Sequence, residues 1–147
     1  MAVNSRAKGA RGEGSVREVL CASSGHSFER TPGSGSGKIK GDLHILGKKN
    51  VFCIEIKNYA DSPLSDKVLT NKTNNLNVWW AKLCLQAKQC NQEPLLIFKY
   101  NRSKLFIATH IKPANVENFL YFSILNCYIM LLDDWLTKEE IIWLISL

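Results

Sequence analysis

The sequence predicts one domain of mixed α/β or α+β class, with a central sheet flanked by helices. Three observations carry that expectation. The chain has 147 residues, the length of a single domain. Its apolar fraction of 46% can fill one sizeable core. Along it, apolar positions spaced by three and four alternate with short apolar runs bounded by turn residues, giving helix, strand pair, helix, strand pair and further mixed elements.

Residues 1–11 are rich in Gly, Lys and Arg without an apolar period, and read as a flexible basic arm. From Glu13 to Ser24, Val16, Val19, Leu20 and Ser23 recur at helical spacing, and Gly25 suits the position after a helix end. "TPGSGSGKIKG", residues 31–41, reads as a flexible Gly/Ser loop. Residues 42–57 follow as a hairpin around Gly-Lys-Lys-Asn. The polar stretch after it, broken by Pro63, is a long connection. "LNVWWAKLCLQAKQCN" then places Trp79, Leu83, Gln86, Ala87 and Cys90 on one helical stripe. "PLLIFKYN" and "KLFIATHI" read as strands around an Asn101-Arg102-Ser103 turn, and "YIMLL" as a later strand. Thr137 followed three residues on by Glu140 has the form of a capping box and predicts a last helix through "EEIIWLISL".

Charge narrows the class of partner. Residues 1–60 carry ten Lys/Arg against five Asp/Glu, whereas residues 115–147 carry one Lys against five acids. One positive face suits an anionic partner, with nucleic acid the natural candidate and a merely solvated basic surface the alternative. The longest apolar stretch, "NFLYFSILNCYIMLL", is interrupted by Ser123 and Asn126 and is too short for a membrane span. No apolar segment follows the basic N-terminus as it would in a signal peptide. Five cysteines without a C-x-x-C pair point to a reducing cytosol and away from structural zinc. A cytoplasmic location is therefore expected.

The hairpin holds the chemistry. Either closing turn, Leu46 with Val51 or Gly47 with Asn50, pairs residues whose numbers sum to 97, which sets Asp42 across from Glu55. Lys57 shares their face by alternation, while Leu43, Ile45, Phe52, Ile54 and Ile56 form an apolar opposite face. Two ionised carboxylates at that separation need a proton or a cation between them. A divalent ion with oxygen ligands suits the pair, and a local Asp–Lys–Glu ion network is the alternative. His44 falls on the same face, either supporting the pair or simply packed in the hairpin; Gln86 on the long helix also points toward this region.

Asp42 followed by Glu55-Ile56-Lys57 resembles the D…E-x-K pattern of the PD-(D/E)XK nuclease superfamily. "KGARGE" (Lys8 to Glu13) at a helix start, then Arg30, a Gly/Ser loop, "GD" and "IEIKN" resemble the archaeal and phage Holliday junction resolvases of that superfamily, over roughly residues 6–104. Gly41 stands where the superfamily usually has proline. The resemblance implies a restriction-endonuclease-like core and Mg²⁺, or Mn²⁺, held by Asp42, Glu55 and the Ile56 carbonyl. Glu13 would complete the acidic cluster, and Lys57 would orient or deprotonate the attacking water. It further implies contacts to DNA phosphates from Arg6, Lys8, Arg11, Arg30, Lys38 and Lys40, and hydrolysis leaving a 5′-phosphate and a 3′-hydroxyl. The substrate implied is branched DNA, cut by a homodimer matching the two-fold symmetry of a four-way junction. The apolar C-terminal segment is a candidate dimer interface, or else closes the core. A nuclease of the same fold acting on ends, nicks or a defined sequence is the next reading, and a non-catalytic DNA-binding protein the third.

Overall fold

The computed structural model describes residues 5–31 and 40–145, with side chains from Gly12 onward. Helix α1 (Ser5–Ser24) starts well before Glu13. The expected basic arm is therefore helical from Ser5, which corrects the sequence reading. Ala7, Ala10 and the basic residues around them are good helix formers, but this half has no apolar stripe to announce it. The helix ends as expected: Gly25 has φ 74°, and its N–H donates to the Cys21 carbonyl at 3.1 Å. The expected Gly/Ser loop lies outside the described residues over 32–39.

Among the described residues seven strands follow: β1 (Phe28–Arg30), β2 (Leu43–Ile45), β3 (Phe52–Tyr59), β4 (Glu93–Tyr100), β5 (Phe106–Thr109), β6 (Leu120–Phe122) and β7 (Cys127–Leu131). They form one sheet in the order β1-β2-β3-β4-β5-β7-β6. Only β3 and β4 run parallel; every other neighbouring pair is antiparallel. A parallel pair needs a long crossover, and short α2 (Lys67–Thr70) and long α3 (Asn75–Gln89) supply it. The fold is thus the mixed α+β sheet flanked by helices that the sequence predicts.

Each face of the sheet carries its own apolar cluster. Leu43, Ile45, Phe52, Ile54 and Ile56 pack with Val16 and Leu20 of α1 on one side. On the other, Cys53, Leu96 and Phe98 pack with Leu76, Trp79, Trp80, Leu83 and Ala87 of α3. The wholly apolar face of the β2–β3 hairpin is therefore as the alternation predicts.

The C-terminus differs from expectation. Helix α4 runs Leu132–Lys138 and stops where a helix was expected to begin. Thr137 donates back to the Asp133 carbonyl at 2.8 Å, so it sits in a last turn instead of capping a first one. Glu139 is committed elsewhere, its carboxylate accepting the N–H groups of Asn115 and Val116 at 2.6 and 3.2 Å. The chain then returns extended beneath the sheet. Val51 N–H donates to the Trp143 carbonyl, and Ile145 N–H to that of Lys49, both at 2.9 Å. Trp143 is buried edge-on against Phe28, Phe52 and Trp135. Trp143 thus helps close the core, while Ile142 of the same segment stays exposed. Among the described residues no helix is long and apolar enough to cross a membrane.

Candidate active site

The site lies where the β2–β3 ladder opens. Leu43 pairs with Ile54, the register expected from the sequence. The turn is closed differently. Asn50 Oδ1 accepts the Ile45 N–H at 2.8 Å and its Nδ2 donates to the Ile45 carbonyl at 3.0 Å, so a side chain replaces a backbone rung. Asp42 sits one residue outside β2. Its N–H donates to the Ile54 carbonyl, and its Oδ2 accepts the Ile56 N–H at 2.7 Å. This approach requires Gly41, which has φ 90° and whose Cβ, if present, would lie 2.6 Å from the Ile54 oxygen. Glycine at the usual proline position is thus a local steric necessity.

Glu55 and Lys57 leave β3 on the α3 face, with Lys57 Nζ 3.6 Å from Glu55 Oε1. Burial first, and the Glu55 charge second, push Asp42 up to about 7, against the lowering pull of its Ile56 hydrogen bond. Burial likewise raises Glu55, while Lys57 and Lys82 oppose the rise. Lys82 of α3 was not singled out in the sequence. It reaches Glu55 only because the crossover folds α3 over β3, and no local pattern announces that.

Glu13 of α1 is ion-paired with Arg30 of β1 at 3.1 Å. Its charge still raises both Asp42 and Glu55, so the structure brings Glu13, Asp42, Glu55 and Lys57 into one electrostatic neighbourhood. Among the described residues, no three His, Cys, Asp or Glu side chains converge as a metal cluster. Two carboxylates with the Ile56 carbonyl remain as hard oxygen donors. That set fits Mg²⁺, which takes one or two carboxylates and fills its other positions with water and phosphate oxygens.

The remaining expected residues divide. Gln86 borders a cavity of about 140 Å³ together with Glu55, Lys57, Trp79 and Lys82. His44 is buried, and its Nδ1 shares a 3.2 Å hydrogen bond with Thr31 Oγ1, which is the packed-hairpin alternative. Lys40 is half-buried just before Gly41. Arg6, Lys8 and Arg11 lie on the first turns of α1, but their side chains are outside the described residues, as is all of Lys38.

The family described as "Phage putative PDDEXK endonuclease" matches residues 4–141. Protein D14 of Escherichia phage T5 is 36% identical over 127 residues, covering 82% of this chain and 79% of that protein. The structure of Archaeoglobus fulgidus Hjc, a Holliday junction resolvase from an archaeal hyperthermophile, superposes with a TM-score of 0.48 at 16% identity. That superposition covers 85% of this chain and 89% of that one. The family match extends well past the hairpin motif, through β7 and α4, and by it the chain belongs to the phage PDDEXK endonucleases.

Proposed function

We propose that this nuclease is a Mg²⁺-dependent endonuclease that resolves four-way DNA junctions by paired phosphodiester hydrolysis, acting as a homodimer in the cytoplasm of a phage-infected cell. The observation carrying this reading is the half-buried pair Asp42 and Glu55, both raised by burial and with the Glu55 charge pushing Asp42 up further. Folding alone disfavours such a pair, and a divalent cation between the carboxylates relieves it. Support for a branched substrate comes from Glu13 and Arg30, the two upstream residues of the resolvase pattern, which are ion-paired beside the carboxylates.

Asp42, Glu55 and the Ile56 carbonyl would hold the cation, with Mn²⁺ as a substitute. When bound, the ion supplies Lewis acidity at the phosphate and a more acidic water. Lys57, an ammonium beside Glu55, orients the attacking water and offsets phosphate charge, and the proton of that water passes to solvent. Glu13 holds Arg30, whose side chain is 65% exposed, toward the DNA backbone. Lys40 and the basic residues of α1 add phosphate contacts that position the DNA without reading sequence. Cleavage leaves a 5′-phosphate and a 3′-hydroxyl. Two such sites about a two-fold axis match the symmetry of a four-way junction.

The test is wild type and Glu55→Ala on labelled four-way junction, nicked duplex and linear duplex, with Mg²⁺ and with EDTA. Symmetric nicks in the junction are expected only with Mg²⁺, and Glu55→Ala binds without cutting. Equal cutting of linear duplex would overturn the junction assignment, and full activity of Glu55→Ala would overturn the site.

A further inference from the structure

A second cleft adjoins the catalytic one on the opposite, α1 face of the sheet. It encloses about 610 Å³, inside the roughly 300–1,000 Å³ typical of small-ligand sites. Its wall is apolar, with Val16 and Val19 of α1 facing Leu105, and no aromatic side chain lines it. Asn58 and Lys99 stand side by side on its floor, because they are partners in the parallel β3–β4 register. Lys104 closes the rim from the β4–β5 turn.

Among the described residues, the side chains of these polar groups make no hydrogen bond or ion pair. Lys99 is half-buried and Lys104 exposed, and neither joins an ion pair among the described residues. The Asn58 amide is half-buried and likewise makes no hydrogen bond there. Asp133 and Asp134 line the cleft as well, and two carboxylates there confine an anion to the lysine side. Lys57 borders both this cleft and the cavity beside Glu55, and so links the two.

Resting on the nuclease reading above, we propose that the cleft receives one unstacked nucleotide of the DNA strand, adjacent to the phosphate that is cut. The base lies against Val19, Leu105 and Leu131 with its edge at Asn58, and Lys99 and Lys104 hold its phosphate. Extruding a base costs least where the stack is already interrupted, as it is at the exchange point of a four-way junction, so the cleft favours nucleotides there over those in a continuous duplex.

The test places 2-aminopurine, a fluorescent adenine analogue, at successive positions around the branch of a four-way junction and follows emission on binding in EDTA, where no cutting occurs. One position beside the cut should brighten severalfold as its base leaves the stack, with no aromatic group in the cleft to quench it. Ser15 is an exposed α1 position lining the cleft, so Ser15→Trp fills the cleft without disturbing the core and should abolish the brightening. The double variant Lys99→Ala/Lys104→Ala should lower the slope of log affinity against log salt by about 1, for the one phosphate the two lysines share. Bound DNA with no brightening at any position overturns the proposal, as does brightening that survives Ser15→Trp unchanged. Cleavage of the junction by wild type with Mg²⁺ is scored separately. Brightening on a junction that is never cut keeps the cleft and sinks the resolvase reading; cutting without brightening does the reverse.

Discussion

The two halves of the sheet are held by different kinds of bond. From β4 through β5 to β7 the strands pair rung by rung, four residue pairs at each junction. Between the described residues of β2 and β3 a single ladder pair survives, Leu43 with Ile54, beside one backbone bond from the Asp42 N–H to the Ile54 carbonyl, and side chains supply further bonds. Asn50 bonds the backbone of Ile45, and Asp42 bonds that of Ile56. The difference teaches where such a fold can afford charge. A complete ladder leaves its side chains to packing, as Leu96, Ile97 and Phe98 show by being wholly buried. An interrupted ladder needs polar side chains to satisfy its backbone, and those same groups are then on hand for chemistry.

The comparison breaks most visibly in β4. Phe98 is fully buried and stacks on Phe106 at 5.3 Å between ring centres. Phe98→Ala should cost about 3–5 kcal/mol in urea denaturation. A cost below about 1 kcal/mol would mean that the regular half is not the stabilising one.

At the interrupted half the sign reverses. Asp42 titrates at about 7 when folded against 3.8 as a free group, so the folded state binds the extra proton between those values. Stability of metal-free protein should therefore fall as pH rises from about 4 to about 7, and stay low above that. The loss expected from Asp42 is about 2 kcal/mol, since partial access to water screens its charge. Asp42→Asn should remove most of that slope and be more stable than wild type at pH 8, while losing cleavage. Thermal unfolding in EDTA at pH 5 and pH 8 checks this. Added Mg²⁺ should restore stability to wild type at pH 8 and do much less for Asp42→Asn. A wild-type protein more stable at pH 8 than at pH 5 in EDTA would contradict it.

Asn50→Ala offers the smallest effect and the sharpest test of side chains as rungs. Loss of its bonds to Ile45 should cost about 1 kcal/mol with an unchanged dependence on denaturant. No measurable loss would show that water replaces those bonds fully.

Much of this was legible from sequence because its causes are local. Alternation along Phe52 to Lys57 sets apolar residues on one face and Glu55 with Lys57 on the other, and the Leu43–Ile54 register followed from turn length alone. The misses have long-range causes. The start of α1 carries no apolar stripe, and Gly12 permits the helix to meet β3, since a Cβ there would lie 3.2 Å from Asn58 Nδ2. The last helix was misread because Glu139 serves the backbone of residues 115 and 116, more than twenty positions away. Lys82, Lys99 and Lys104 sit by the two clefts through the β3–α3–β4 crossover, which no window of sequence displays.

The return of the chain at residues 143–145 has a consequence for the order of events in synthesis. The hairpin that carries Asp42, Glu55 and Lys57 is clamped at Lys49 and Val51 by backbone that the ribosome makes some ninety residues later. Contacts so far apart in sequence close late in folding. A growing chain that already contains Asp42, Glu55 and Lys57 still lacks the segment that braces them, so the hairpin is completed only as translation nears Trp143, and a nuclease built this way stays unbraced until then.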